Sequence, residues 1–347
     1  MCTSPLKGWK YGKTVNGKDN YIVTSYDIDH LEITGDSVIN RVVTVPRRFP
    51  QSECIREYIE IPCGQCMECR LEYSRQWANR CLLESQDHEQ NCFITLTYDN
   101  EFLPIVKDCV KPKTGEVVDL NTLRKEDFQK FLKRLRKRLD PEGIKIRYFA
   151  AGEYGDKTQR PHYHAIIFGW YPSDITVNEV RDESGLGYRY YQSKLLSEVW
   201  PYGIHVVADC SWETCAYVAR YVCKKAKGVD KKLFDSLGVQ SEFVLMSRKP
   251  GIGSNWFDSH SVCYANFLNT YVGTDFGSRK ISHNRYFDKK LEKLDPELLE
   301  NLKKIRKEFQ KDKNRAELSN TSLPYWQYLA VKNSNLLKKT KGLKRDL

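Results

Sequence analysis

The sequence predicts an α+β fold: a central antiparallel sheet flanked by helices, preceded by a cysteine-rich segment and followed by a basic, partly helical region. Two observations carry this. Between Cys92 and Gly228 the segments read strand, helix, hairpin, helix, strand, helix, and strands that meet in hairpins beside helices build an antiparallel sheet in an α+β domain. No internal repeat of roughly 20 to 50 residues and no extended low-complexity tract occurs, which removes solenoids and arrays. The 347 residues suffice for two or three folded units. We read three: a cysteine-rich N-terminal segment over 1–90, the central α+β domain over 91–228, and a basic C-terminal region over 229–347.

In chain order, "GKTVNGKD" (Gly12 to Asp19) nearly spells a phosphate-binding loop. Asp19 stands where the magnesium-holding Ser or Thr would be, no apolar strand precedes and no helical pattern follows, so nucleotide hydrolysis is rejected there. In "CGQCMEC", Cys63, Cys66 and Cys69 recur every three residues, and Pro62 and Gly64 favour a tight turn. Three thiolates leave a tetrahedral zinc ion one ligand short, and Cys2, Cys54 or Cys81 could complete it. Cys2 is preferred because it would tie the N-terminus onto the domain. An iron–sulfur cluster and free thiols are the alternatives to structural Zn²⁺. Disulfides are disfavoured: the chain has 12 cysteines but no segment resembling an export signal, so reduced thiols or metal ligands are expected.

The central domain opens with "CFITLTYDN" (Cys92 to Asn100), β-branched and aromatic and ending in Asp-Asn, a strand. In "DLNTLRKEDFQKFLKRLRKRLD", Leu123, Phe128, Phe131, Leu132, Leu135 and Leu139 recur every three or four residues. That spacing predicts an amphipathic helix with a basic outer face and Asn121 or Thr122 as N-cap. "IKIRYFAAGE" (Ile144 to Glu153), the polar turn "YGDKTQR" and "PHYHAIIFGW" read as a β-hairpin. A short helix over Ser193 to Val199 leads to the strand "YGIHVVADC". "SWETCAYVARYVCKKAKG" then reads as a helix with Ser211 as N-cap and Gly228 as stop.

The formal charge is +11, which calls for an acidic partner. Lys and Arg concentrate between Arg124 and Arg138, between Lys289 and Arg315, and from Lys338 onward. Each run alone reads as a solvated helix face. In a chain rich in Tyr and Trp, cations for phosphate and aromatic faces for bases together suit nucleic acid. No run of about 18 apolar residues is present, so the expectation is a cytosolic protein without a membrane span.

Alternate residues of a strand share a face, so His162 and His164 in "RPHYHAIIFG" would point the same way with Tyr163 opposed. The hairpin places Glu153 opposite the start of that strand. Two imidazoles and a carboxylate form a mixed N and O donor set suited to Mg²⁺ or Mn²⁺ with positions left open; a metal-free hydrogen-bonded pair is the plain alternative. In "YVARYVCKK", Tyr217 and Tyr221 are four apart on a helix and emerge from one face, with Lys224 near it. Such a pair by itself reads as core-edge packing. Beside a metal site it gains a chemistry. A phenol of pKa near 10 is a weak nucleophile at neutral pH and needs a polarised electrophile, which a divalent ion on a phosphodiester supplies.

At this level of detail the chain resembles the histidine–hydrophobe–histidine (HUH) endonucleases that initiate rolling-circle replication, in particular those of microvirus and gokushovirus-type single-stranded DNA phages. "PHYHAIIFG" followed by "YVARYVCKK" carries the resemblance. "FITLTYDN", "GEYG", "CGQCMECR" and "SRKPGIG" extend it over most of residues 54 to 253. The resemblance implies an RRM-like or ferredoxin-like HUH core, with 91–228 as the catalytic domain. His162, His164 and Glu153 would hold Mg²⁺ or Mn²⁺, Tyr217 and Tyr221 would be the nucleophiles, and Lys224 would orient scissile DNA. The family usually has an aliphatic residue where this chain has Tyr163, a position that asks only for an inward-facing bulky side chain.

The implied activity is site- and strand-specific nicking and strand transfer on phage DNA at the replication origin, single-stranded or supercoiled duplex. One tyrosine would form a 5′-phosphotyrosine and free a 3′-hydroxyl for the polymerase; the second would support termination and circle closure. A host helicase and DNA polymerase would be partners, in the host bacterial cytoplasm. Two other classes stay open from the residues alone. A metal-dependent hydrolase would form no protein–DNA adduct, and a non-catalytic nucleic-acid-binding protein would be indifferent to chelator but sensitive to salt.

Overall fold

The computed structural model describes residues 2–17, 19–34, 37–42, 54–112, 114–155, 158–177, 189–224, 229–266, 269–274 and 277–340. The chain divides into two units, Met1–Glu72 with Lys311–Lys341 and Tyr73–Gln310 with Gly342–Leu347. In the first, one three-stranded antiparallel sheet joins Asp19–Thr24, Leu6–Lys13 and Tyr58–Ile61, and another joins Ser37–Val42, Ile28–Thr34 and Cys54–Ile55. Trp9, Ile28 and Leu31 form its core. Lys7 is buried there, its ammonium donating to the Ile28 carbonyl and lying over the rings of Trp9, Tyr26 and Tyr58, so the charge is met by a carbonyl and by aromatic faces.

The second unit is built on a seven-stranded antiparallel sheet. Its strands are β1 (Asn91–Thr97), β2 (Arg147–Tyr154), β3 (Pro161–Phe168), β4 (Ile175–Val177), β5 (Tyr191–Ser193), β6 (His205–Asp209) and β7 (Phe243–Met246), in the order β4-β5-β6-β1-β3-β2-β7. Four helices bear on the site: α1 (Met67–Gln86), α2 (Lys125–Leu139), α3 (Lys194–Val199) and α4 (Trp212–Lys224). The predicted α+β class, with a large antiparallel sheet between helices, is what the chain forms.

Alternation along the central strands separates two cores. Ile94 and Leu96 of β1, Ala150 of β2 and Tyr163, Ala165 and Ile167 of β3 pack against Phe128, Phe131, Leu132 and Leu135 of α2 and Leu196 and Val199 of α3. Phe93, Phe149, Ala151, Ile166 and Phe168 project oppositely and meet Ala78 and Cys81 of α1 and Cys215, Val218 and Ala219 of α4. Each large side chain so buried contributes about 1.5–3 kcal/mol. A third core joins Trp256, Phe257, Phe287, Leu291, Leu299 and Leu302.

Three expectations shift in detail. The helix predicted from Asn121 starts at Lys125, because the cap candidates are engaged elsewhere: Asn121 donates to the Thr158 and Gln159 carbonyls, and Thr122 Oγ1 accepts the Gln240 N–H. Three short strands, β4, β5 and β7, add to the four predicted. The basic run from Lys289 to Arg315 is two helices, Arg285–Leu294 and Pro296–Ser319, broken at Asp295, whose carboxylate accepts the Leu298 N–H. The stop at Gly228 and most of the tail from Lys338 lie outside the described residues. Among those described, no helix is long and apolar enough to cross a membrane.

Candidate active site

The β2–β3 hairpin fixes the register of the two histidines. Glu153 pairs with His162 and Ala151 with His164, while on the other side of β3 Thr97 pairs with His162 and Thr95 with His164. Directly paired residues share a face. Both histidines, Glu153, Thr95 and Thr97 therefore stand on the α4 side of the sheet. His164 and Glu153 are buried, with His164 Nε2 2.8 Å from Glu153 Oε1. Each imidazole has its other nitrogen held by a threonine of β1: Thr95 Oγ1 lies 2.9 Å from His164 Nδ1, and Thr97 Oγ1 lies 2.9 Å from His162 Nδ1.

That arrangement fits a divalent ion chemically. A metal-ligating histidine is oriented by a hydrogen bond on its second nitrogen, and the two threonine hydroxyls supply one each. The Nε2 atoms and the Glu153 carboxylate are then the ligands on offer. The set is not tightly drawn: among the described residues, Glu153, His162 and His164 are not a group whose donor atoms all lie within 4.8 Å of one another. The His162 and His164 ring centroids are 6.3 Å apart. Gly155, at the end of the hairpin strand, keeps space for His162, since a side-chain carbon there would lie 3.0 Å from its Nε2.

Helix α4 places both tyrosines against His164. Ser211 caps it as expected: its Oγ accepts the Thr214 N–H, and Thr214 Oγ1 accepts the Ser211 N–H in return. Tyr221 stacks flat on the His164 ring, centroids 5.1 Å apart and planes at 7°, and Tyr217 meets the same ring edge-on at 5.0 Å and 86°. The two tyrosine rings are 5.4 Å apart. They are not equivalent. Tyr221 is 5 % exposed and Tyr217 38 %. Burial raises both phenols above their ordinary range, Tyr221 well above it, with the Tyr217 phenol and the Glu153 carboxylate beside it adding to the rise. Lys224 is the last residue of α4; its side chain lies outside the described residues.

Several residues that frame the site were not read from the sequence. Phe93 stacks on His164 at 6.0 Å and meets the Tyr217 ring at 5.9 Å. With Thr95 and Thr97 it forms the period-two row of "CFITLTYDN", the signal that could have identified all three. Tyr163 points into the opposite core, where its hydroxyl accepts the Arg124 N–H at 3.0 Å, donates to the Arg124 carbonyl at 2.8 Å and lies 2.8 Å from the Tyr98 hydroxyl. A tyrosine is tolerated between the histidines because its phenol is satisfied there.

The cysteines form a separate cluster in the first unit. The Sγ atoms of Cys2, Cys63, Cys66 and Cys69 all lie within 4.8 Å of one another, and Cys2 is 3.5 Å from Cys63 and 3.6 Å from Cys66. A tetrahedral ion with metal–sulfur bonds of about 2.3 Å needs sulfur separations of about 3.8 Å, so the spacing suits one ion. Backbone N–H groups of Gln65 and Cys66 donate to Cys63 Sγ and that of Cys63 to Cys2 Sγ. Burial opposes ionisation of Cys66, yet hydrogen bonds from Thr3 and Cys69 hold its thiol down at about 6. The quartet can bind a metal ion.

Comparison with known proteins adds an independent line. A family model of replication-associated proteins of the ORF2 type matches residues 91–226. The chain is 30 % identical over 354 aligned residues to the replication-associated protein ORF2 of Spiroplasma virus 4, covering 100 % of this chain and 98 % of that one. It is 32 % identical over 204 residues to the replication-associated protein VP4 of Bdellovibrio phage phiMH2K, covering 57 % of this chain and 58 % of the other. To the replication-associated protein ORF4 of Chlamydia phage 1 it is 37 % identical over 171 residues, covering 48 % and 38 %. No solved structure matches.

Proposed function

The chain belongs to the family of replication-associated proteins, and from that premise we propose that it is a site- and strand-specific DNA nickase and strand transferase that initiates rolling-circle replication of a circular single-stranded phage genome. The observation that carries the reading is the convergence of Glu153, His162, His164, Tyr217 and Tyr221 on one sheet face, with His164 touching both phenol rings. A hydrolase that activated water would have no use for those two ring contacts.

In this reading His162, His164 and Glu153 hold Mg²⁺ or Mn²⁺, and Thr95 and Thr97 orient the two imidazoles. When bound, the ion withdraws charge from the non-bridging oxygens of the scissile phosphate. One tyrosine attacks phosphorus and the bond to the 3′ oxygen breaks. The phenolic proton ends on that oxygen, leaving a 5′-phosphotyrosine and a free 3′-hydroxyl primer. The phosphodiester energy is retained, so no nucleotide is consumed. The second tyrosine cuts the regenerated origin, and the released 3′-hydroxyl attacks the first phosphotyrosine and closes the circle. Tyr217, the more exposed phenol, reaches an incoming strand without rearrangement, whereas Tyr221 must leave its stack on His164. Lys224, ending the same helix, orients the DNA.

The domain in this role is residues 91–228. The cysteine quartet holds a structural Zn²⁺ that fastens the N-terminal segment. The DNA partner is the phage origin, with a host helicase and DNA polymerase completing replication in the host bacterial cytoplasm.

The test incubates the protein with labelled circular single-stranded phage DNA and Mn²⁺ or Mg²⁺, with and without EDTA. A nick and a protein–DNA adduct of equal yield are expected, both abolished by EDTA. A nick without an adduct would favour the hydrolase, and binding with neither would favour a non-catalytic protein.

A further inference from the structure

A polar cleft of about 660 Å³ opens where β1 begins, β6 ends and α4 starts. Nothing in the strand-transfer chemistry uses it. Its walls include Asn91, Asp209, Trp212, Glu213 and Arg279. The volume is that of a small-molecule pocket, and the ligand class follows from its walls and its place.

Two structural lines connect it to the tyrosines. Glu213, Tyr217 and Tyr221 are spaced by four on α4 and share one face, so Glu213 lies about 6 Å along the helix from Tyr217. Asn91 and Phe93 share the α4-facing row of β1 with Thr95 and Thr97, about 13 Å from Asn91 to Thr95. α4 lies over β2, β3 and β7, and beside that helix the same face of β6 is open. Ile204, whose carbonyl accepts the Thr97 N–H, is 55 % exposed. An apolar strip thus leads from the histidines toward the cleft.

The chemistry inside selects a nucleobase over a phosphate. Three carboxylates, Glu89, Asp209 and Glu213, line the cleft with Arg279. They oppose an anion and accept hydrogen bonds from exocyclic amino groups. Arg279 stacks its guanidinium on the Trp212 ring, with Glu213 3.9 Å from it, a planar platform of the kind that stacks unpaired bases. We propose that this cleft receives a base of the single strand whose phosphate lies at the tyrosines, and that Glu213 and Arg279 determine which base it prefers. The proposal rests on the strand-transfer reading for the path of the DNA, but the cleft can be tested without cleavage.

Affinities for labelled oligo(dA), oligo(dC) and oligo(dT) are measured by fluorescence anisotropy in EDTA, where no cutting occurs, for the wild type, Glu213→Gln and Arg279→Lys. Both side chains are partly exposed (46 % and 37 %), and Arg279→Lys keeps the charge while removing the planar stack. The wild type discriminates among the three, and at least one variant changes a ratio of affinities by about fivefold or more, the scale of one base contact. Unchanged ratios in both variants, or a wild type without preference, overturn the cleft assignment. Adduct formation by the wild type is scored separately with Mn²⁺. Adducts with unmoved ratios leave strand transfer standing and remove the cleft; moved ratios without adducts do the reverse.

Discussion

Thr95 shows how much of the chemistry is set one residue away from the ligands. Its hydroxyl holds His164 Nδ1 at 2.9 Å, and an oriented second nitrogen is what makes an imidazole a reliable ligand. Thr95→Val keeps the shape and removes the hydrogen bond. We expect Mn²⁺ affinity, measured by calorimetry, to fall roughly 10- to 100-fold, with Thr95→Ser restoring most of it. Equal affinity in Thr95→Val would show that the threonine is only packing. The two histidines, the carboxylate and the two tyrosines were legible in the sequence because period two and period four are local rules. The threonines were not singled out, because a threonine in a strand is ordinary until the neighbouring strand's register is known. The inequality of Tyr217 and Tyr221 was likewise invisible, since it depends on how deeply α4 presses onto the sheet.

At the scale of elements, the site depends on where α4 and β6 are anchored. The Ser211 and Thr214 reciprocal cap begins α4 at the edge of the cleft, and Ser211→Ala should cost about 1 kcal/mol of stability in a denaturant titration. His205 of β6 anchors the other side: its Nε2 accepts the Ser193 N–H at 3.0 Å, so the ring is neutral. Burial holds its pKa below the ordinary value of 6.5. The folded state resists a proton that the unfolded chain accepts, so this stability is present above about pH 6.5 and is lost as pH falls toward the folded pKa. Stability measured across pH 7.5 to 5 should therefore decline, and His205→Gln should flatten the decline in that window; an unchanged slope would assign it to other groups. The long amphipathic α2 and the β2–β3 hairpin were legible from periodicity. β7, four residues long, was not, because so short an apolar run carries no period. The start of α2 was misjudged because Asn121 and Thr122 have better partners in distant segments.

For the whole molecule, the cysteine quartet closes the first unit through residues 61 or more positions apart, Cys2 to Cys63 and Cys66. Bound Zn²⁺ then acts as folding free energy for that unit. Chelation, or Cys63→Ser, should lower the melting temperature and release zinc at one ion per chain; a metal-free protein of unchanged stability would refute the role. Sequence spacing alone gave three of these ligands and left the fourth among three candidates, since which distant cysteine folds back is a tertiary fact. The central claim concerns Tyr217 and Tyr221, and Arg220 lies between them, so trypsin releases them on different peptides. The most direct measurement is mass spectrometry of tryptic peptides from the covalent DNA adduct after nuclease trimming. The account predicts a residual nucleotide on the peptide ending at Arg220, on Tyr217, or on the one beginning at Tyr221. A linkage to any other residue, or an adduct that persists in Tyr217→Phe/Tyr221→Phe, would contradict it.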